Sequence, residues 1–387
     1  MAILHSPSTG HRFGRPRLLA GDPPARASYS GNQPFQPLPP PVGPYPYHLD
    51  LASVLGNDAI AAISSAGQLD FHLMGDTGGI NSPTPQEDVA QGLELDIANP
   101  PDGFSPRFLY LLGDCIYFNG QEENYYDQFY DPYAHYNAPI FAVPGNHDGD
   151  PIDPSHSTLD GFLQNFCTLT PQGNPQARDS GRTTMTQPNV YWTLDTPLAT
   201  IIGLYTNVPE HGRLDDNQVG WLNHELSTAP TGKALLLTMH HPPISGDDHH
   251  GSSQYMSDLL DNSIQSSQRV PDLICAGHVH NYQRFTRQAS AISASGTIAY
   301  VVAGSGGYHN LHTMAADVSG LTLPAQYPGS PDVTVDAYDD AHYGYLRVRV
   351  TPNTIRLQFV QVAPSPGVSP QSITPTVVDD TTIQIRT

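Results

Sequence analysis

Five short polar strings, each closing an apolar run, hold most of the side chains in this sequence that could do chemistry. They are Gly75-Asp-Thr-Gly78, Gly113-Asp-Cys-Ile-Tyr117, Gly145-Asn-His-Asp148, His240-His241 and Gly277-His-Val-His280. Asp114 follows the apolar run Phe108–Leu112, and a carboxylate at the end of such a strand needs a partner. Tyr117 stands three residues beyond it. Asp76 follows Phe71-His-Leu-Met74, where Asp-x-Gly is also a common turn. Asn146 offers an amide oxygen, His147 an imidazole and Asp148 a carboxylate able to orient that imidazole, although the string also reads as an ordinary polar turn. His278 and His280 leave a strand end on related vectors, suited to two adjacent ions. Strand alternation lets only one of His240 and His241 face such a site. His240 is the choice, because Pro242 and Pro243 redirect the chain just after His241.

Asp76, Asp114, Tyr117, Asn146, His240, His278 and His280 make seven oxygen and imidazole donors. If Asp114 bridges, two metal ions receive four each, with room for water and a substrate oxygen. A donor set without thiolate argues against a structural zinc site. The phenol is the informative member. Free tyrosine ionises near pKa ~10, so a weakly acidic dication gains little from it. A hard trivalent ion deprotonates it readily, and Fe(III) is the available candidate.

The elements that must position these strings can be read from the apolar pattern. Strands are expected at Leu69–Met74, Phe108–Leu112, Pro139–Val143, Ala199–Leu204, Ala234–Met239, Asp272–Ala276 and Thr297–Ala303. Helices are expected between them at Gln86–Ile97, Glu122–Tyr130, Thr158–Phe166, Asp216–Leu226 and Gln254–Gln268. Leu346, Val348 and Val350 alternate with arginines, and Thr351-Pro-Asn-Thr354 turns the chain into Ile355, Leu357 and Phe359, a hairpin with one buried face. Mixed α/β order followed by antiparallel strands predicts an α/β (α+β) chain of two packed mixed sheets with helices outside. All five strings then fall at strand carboxyl ends, where function collects in such sheets. Residues 1–48 read as a Pro/Gly-rich arm, 49–362 as the catalytic domain, and 363–387 as a Pro/Ser/Thr-rich tail with one late strand at Thr382–Arg386.

Composition sets limits. The 387 residues carry 16 Lys+Arg against 37 Asp+Glu, a formal charge of −21, which repels nucleic acid and anionic membranes. A small phosphate substrate is compatible, because bound cations dominate the local field of a metal site. Three cysteines, Cys115, Cys167 and Cys275, are too few for a disulfide framework and read as small buried hydrophobes. No apolar run is long enough to span a membrane. Met1–Ala20 lacks the apolar centre of a signal peptide, so a cytoplasmic chain is the default expectation, or a secreted or periplasmic one if the numbering is that of a mature chain.

Taken in order, GDxG, GDxxY, GNHD, a strand-end histidine and GHVH resemble the calcineurin-like metallophosphoesterases. Within them, the tyrosine resembles that of the purple acid phosphatases. Most of that superfamily carries Asp-x-His in the first string; here Gly78 stands in the histidine's place and Tyr117 fills the gap. The similarity also takes in Gln218-x-x-Trp221-Leu222-x-x-Glu225 and Gly277–Arg284, and runs over roughly residues 69–360. It implies a four-layer αββα sandwich. It further implies Fe(III) held by Asp76, Asp114, Tyr117 and His280, and a divalent ion held by Asp114, Asn146, His240 and His278. His147 would face the substrate with Asp148 supporting it. His249 and His250, nine and ten residues after His240, match the family's substrate-binding pair in spacing, while Gly246-Asp-Asp-His-His-Gly251 also reads as a solvated loop. Asp148 and Gln283 stand where the purple enzymes usually or often carry glutamate, which bears on rate and specificity more than on metal binding.

The implied reaction is hydrolysis of a phosphate monoester. Two cations clamp the phosphate oxygens and acidify a water, whose hydroxide attacks phosphorus in line with the leaving group. His147, or one of His249 and His250, gives a proton to the leaving oxygen. Fe(III) keeps hydroxide available below neutral pH, so an acidic optimum is expected. Two other readings stay open: a phosphodiesterase of the same superfamily with two divalent ions, and an inactive metal-bearing protein that binds phosphorylated ligands. Tyr308 and His309 either line the pocket or follow a plain glycine turn at Gly304–Gly307.

Overall fold

The structure, a computed structural model, describes residues 33–152, 155–364 and 373–386. In chain order the strands are β1 (His48–Asp50), β2 (Leu69–Met74), β3 (Pro106–Leu111), β4 (Ile140–Ala142), β5 (Trp192–Asp195), β6 (Ala199–Gly203), β7 (Ala234–Met239) and β8 (Leu273–Ala276). They continue with β9 (Tyr282–Gln288), β10 (Thr297–Ala303), β11 (Ala325–Gln326), β12 (Val333–Asp339), β13 (Gly344–Val350), β14 (Thr354–Pro364) and β15 (Ile373–Gln384). One sheet has nine strands in the order β1-β5-β6-β7-β8-β10-β9-β12-β11; the other has six, in the order β15-β14-β13-β2-β3-β4. β2, β3 and β4 are parallel, as are β6, β7, β8 and β10, while the remaining later strands add antiparallel.

Alternate residues of both sheets meet in one buried layer that includes Phe71, Tyr110, Ile201, Leu236, Val301, Val348 and Leu357. Tyr282 of β9 stacks on Phe359 of β14 across it at 4.1 Å between ring centroids. The opposite faces carry Leu109, Leu111, Ile202, Leu235 and Leu237, which cluster with helix residues Val89, Leu93, Leu222, Leu226, Leu260 and Ile264. Two mixed sheets packed face to face with helices outside is the expected fold class.

Local differences have physical reasons. The helix expected at Glu122–Tyr130 is a 3-10 turn (Glu122–Asn124) followed by a π turn (Tyr126–Tyr130) closed by Asp131 N–H to Tyr126 O at 2.9 Å. The wider turn lets the neighbours Phe129 and Tyr130 both be buried. Of the stretch expected as a C-terminal tail, residues 365–372 and 387 lie outside the described part, and most of the rest belongs to the six-stranded sheet. Its strand begins at Ile373, not Thr382, and pairs with β14 along its length. It lies at the sheet edge with mostly exposed side chains, so it shows little apolar alternation. The helices Leu51–Leu55 and Asn57–Ala66 and strands β5, β9 and β12 also lie outside the sequence expectations.

Of the N-terminal arm, residues 1–32 lie outside the described part. From residue 33 onward the arm rests on the body: Gln36 N–H donates to Asn207 Oδ1, Gly43 N–H to Pro188 O, and Trp221 Nε1–H to Pro46 O. The three cysteines are buried and unpaired. Among the described residues no helix is long and apolar enough to cross a membrane.

Candidate metal centre

The five strings come together where the carboxyl ends of the two sheets meet. The loops after β2, β3 and β4 bring Asp76, Asp114, Tyr117 and Asn146 from one sheet. Those after β7 and β8 bring His240, His278 and His280 from the other. The loops are tied to one another through the backbone: Asp76 N–H donates to Gly113 O (3.0 Å), Thr77 N–H to Asp114 O (3.1 Å) and Gly277 N–H to His240 O (3.0 Å). Asp76, Asp114 and His278 all have positive φ, at 58°, 50° and 69°. Such backbone costs roughly 1–3 kcal/mol per residue and persists only where its surroundings over-determine it. Here Asp76 Oδ2 accepts the N–H of His278 at 2.8 Å and Asp114 Oδ1 that of His147 at 2.9 Å.

The side chains converge acceptor on acceptor. His240 donates from Nδ1 to Leu112 O at 2.9 Å, so the inward Nε2 of the neutral ring is a lone pair. That nitrogen lies 2.8 Å from Asn146 Oδ1, 3.2 Å from His278 Nδ1 and 3.3 Å from Asp114 Oδ2. His278 Nδ1 is itself 3.1 Å from Asn146 Oδ1. A second convergence lies beside the first. His280 donates from Nδ1 to Asn310 O at 2.8 Å, and its Nε2 lies 3.3 Å from Tyr117 OH and 3.5 Å from Asp76 Oδ1. In the first convergence lone pairs face lone pairs, which a cation satisfies; in the second, Tyr117 OH donates to Asp76 Oδ1 at 3.3 Å, a proton the phenol would have to give up to join the donors. Outward ring nitrogens held by carbonyls are how proteins orient imidazole ligands. The donor set therefore fits two adjacent metal ions.

Crowding of ionisable groups in this buried site displaces their charges strongly in both directions. Burial raises Asp76 to about 7, with His240 opposing and Asp114 adding to the rise. Asp148 also reaches about 7, through burial and then the Asp114 charge, against three backbone donors. Burial pushes Asp114 up too, but the His240 and His147 imidazoles hold it below the usual carboxylate range. Burial lowers His280 to about 3 and takes His278 well below its ordinary value. His240 goes the other way: burial is outweighed by Asp114 and Asp76, which raise it to about 9. Burial, then Asp114 and Asp76, pushes the Tyr117 phenol well above 10, so only a strongly acidifying cation would make it a phenolate.

Gly78 explains why a phenol has room here. A Cβ at residue 78 would stand 2.6 Å from Tyr117 Cδ2 and 2.5 Å from Gln128 Oε1, so any side chain there collides with the Tyr117 ring. Tyr308 closes the other face of that ring at 4.0 Å between centroids.

The remaining expected residues divide. His147 donates from Nδ1 to Phe118 O at 2.8 Å, and its Nε2 lies 4.0 Å from Asp114 Oδ2. Asp148 is turned elsewhere than expected. Its carboxylate accepts the N–H groups of Gly145, Cys115 and Ile116, joining the loops that carry Asn146 and Tyr117. Adjacency in sequence suggested support of His147, but the helical turn at 146–149 points the two side chains apart. His241 bonds Thr206 Oγ1 through Nδ1 at 2.7 Å and packs its ring on that of His278 at 4.3 Å between centroids.

The loop Gly246–Gly251 is more ordered than a solvated one, because buried Asp247 accepts the N–H groups of His249, His250 and Gly251. His250 lies over His278 at 4.0 Å between centroids, while His249 is exposed. Gln283 accepts Gly246 N–H and donates to Ser245 Oγ and Asn281 Oδ1, joining that loop to the His280 strand in a way a carboxylate, lacking donors, could not. Tyr308 reaches the site, and His309 contacts Asn81 at its edge. Two residues at the site carried no sequence signal. Glu210 bonds His250 Nδ1 and approaches His278 Nε2 to 3.8 Å, and His312 stacks on His280 at 4.2 Å.

The chain resembles known proteins in sequence and in fold. A family model described as calcineurin-like phosphoesterase matches residues 71–282. The chain is 28% identical over 177 residues to the 3',5'-cyclic adenosine monophosphate phosphodiesterase CpdA of Vibrio vulnificus, covering 45% of this chain and 55% of that protein. It is 26% identical over 171 residues to purple acid phosphatase 21 of Arabidopsis thaliana, covering 43% of this chain and 35% of that protein. The matches thus take in little more than half the length of these relatives, or less. Among solved structures, the purple acid phosphatase PPD1 from yellow lupin (Lupinus luteus) seeds aligns with a TM-score of 0.56 at 16% identity, over 82% of this chain and 54% of that one. GAP50, the anchor in the inner membrane complex of Plasmodium, aligns with a TM-score of 0.57 at 16% identity, over 83% and 90%. At these identities the two structures speak to the fold.

Proposed function

Because the chain belongs to the calcineurin-like phosphoesterase family, whose model matches more than half of it, we propose that it is a dinuclear-metal hydrolase of phosphate monoesters. The carrying observation is the buried convergence of His240 Nε2, His278 Nδ1 and Asn146 Oδ1 within 3.2 Å of one another, with Asp114 alongside. In this reading Asp76, Asp114, Tyr117 and His280 hold Fe(III). Asp114, Asn146, His240 and His278 hold a divalent ion, zinc, iron or manganese. Cations so held neutralise phosphoryl charge and acidify water.

The protein groups supply the rest. Glu210 bonds His250 Nδ1 and orients its ring, so that His250, with His249 beside it, faces the phosphate. His147, oriented through Nδ1–H to Phe118 O, presents Nε2 and gives the proton on it to the leaving oxygen. Fe(III) would make hydroxide available below neutral pH, so the rate should be greatest there.

The experiment is hydrolysis of p-nitrophenyl phosphate and its bis ester by metal-replete protein between pH 5 and pH 9. Faster turnover of the monoester, best at acidic pH, is expected. A diester preference with rates climbing to pH 9 supports the second reading, a phosphodiesterase with two divalent ions. That reading is favoured by the cyclic-nucleotide phosphodiesterases among the relatives. No turnover of either ester would leave a protein that only binds phosphorylated ligands.

A further inference from the structure

Over the proposed ligand imidazoles lies a second tier of rings. His250 sits over His278 with centroids 4.0 Å apart, and His312 over His280 at 4.2 Å with 25° between planes. His249 and His250 lie 4.5 and 5.0 Å from His312, and each of the three rings brings a nitrogen within 4.8 Å of the others. His312 is the buried member at 5% exposure, while His249 opens the tier to solvent.

The backbone sets the tautomer of His312. Its Nδ1 accepts the N–H of His280 at 3.3 Å, so the ring is neutral and its proton resides on Nε2. No protein acceptor takes that proton among the described residues. A ring nitrogen bearing a proton cannot ligate a cation, which argues against a third metal held by His249, His250 and His312. It can donate to an anion, and the neighbouring rings are the pair proposed to face phosphate.

We propose that His312 is a substrate-binding residue, its Nε2–H donating to a phosphate oxygen beside the His249–His250 pair. This rests on the phosphoesterase reading. The tier then combines two oriented rings: His250, held at Nδ1 by the Glu210 carboxylate, and His312, fixed at Nδ1 by the backbone.

Two substitutions separate the ring nitrogens. In His312→Asn the amide oxygen can stand near Nδ1 and keep the acceptor for His280, with nothing at Nε2. In His312→Gln the amide nitrogen reaches the Nε2 position. Calorimetric binding of inorganic phosphate is measured on metal-replete wild type and both variants, with metal content in parallel. His312→Asn is expected to bind phosphate about tenfold more weakly, about 1.4 kcal/mol, with both metals retained, and His312→Gln to recover most of the loss. Wild-type affinity in His312→Asn, or a weaker His312→Gln than His312→Asn, overturns the inference. So does metal loss in His312→Asn, which would assign His312 to holding His280, or a third metal equivalent in wild type that both variants lose. Wild type that holds two metals and binds no phosphate would overturn the phosphoesterase reading itself, and this inference with it.

Discussion

Tyr117 and Gly78 act as a pair, because the ring of one fills the space that any side chain of the other would need. The identity of one metal hangs on this pair. Tyr117→Phe keeps the stacking on Tyr308 and removes only the oxygen. The variant is therefore expected to fold with wild-type stability and to lose a visible charge-transfer band that wild type shows. Colourless wild type with full iron occupancy would contradict the assignment. The seven proposed ligands were legible because each follows an apolar strand, where a polar residue needs a reason. Glu210 and His312 were not, since they reach the site from loops with no motif and matter only through the rings they touch. Asp148 was legible as an orienting carboxylate but not in what it orients, which the turn at 146–149 decides.

At the level of elements, the strands flanking the site were readable because they are buried on both faces and almost wholly apolar, as in β7 and β8. β15 was hidden for the opposite reason: an edge strand is held by its backbone ladder and needs little apolar pattern. β1 is another edge, and His48 on it bonds Asp195 Oδ2 of β5 at 2.6 Å and Glu225 Oε2 of the helix Asp216–Thr228 at 2.7 Å. The hydrogen bond to Asp195, then that to Glu225, raises His48 from 6.5 to about 10. A pKa raised on folding stabilises fully below the unfolded value and is lost as pH climbs through the folded one. The Tm advantage of wild type over His48→Gln should thus be greatest at pH 6 and shrink by pH 10; an advantage constant across that range contradicts the link. The helix Thr84–Ala98 is fixed to β13 by a buried pair, in which Arg347 Nε and Nη2 each donate to Asp96 at 2.6 Å. Asp96→Asn leaves that guanidinium buried without its partner and should cost about 3–5 kcal/mol in urea unfolding. A loss below about 1 kcal/mol would mean that the pair is already well solvated.

In the whole molecule, the order of strands announced two sheets, but not how the chain divides between them. β13, β14 and β15 return to the sheet of β2–β4, while β5 to β12 build the other layer with β1 at its edge. No local pattern states this, because membership depends on which faces bury one another. The consequence is that neither sheet alone carries the proposed centre: four of its donors come from one sheet and three from the other. Asp114 is the donor proposed to touch both ions, its Oδ2 lying 3.3 Å from His240 Nε2. Elemental analysis of metal per chain, in wild type and Asp114→Asn after loading with iron and zinc, tests this most directly. Two tightly held ions in wild type and loss of both in Asp114→Asn are predicted. A single ion in wild type, or two ions retained in Asp114→Asn, would contradict the dinuclear centre.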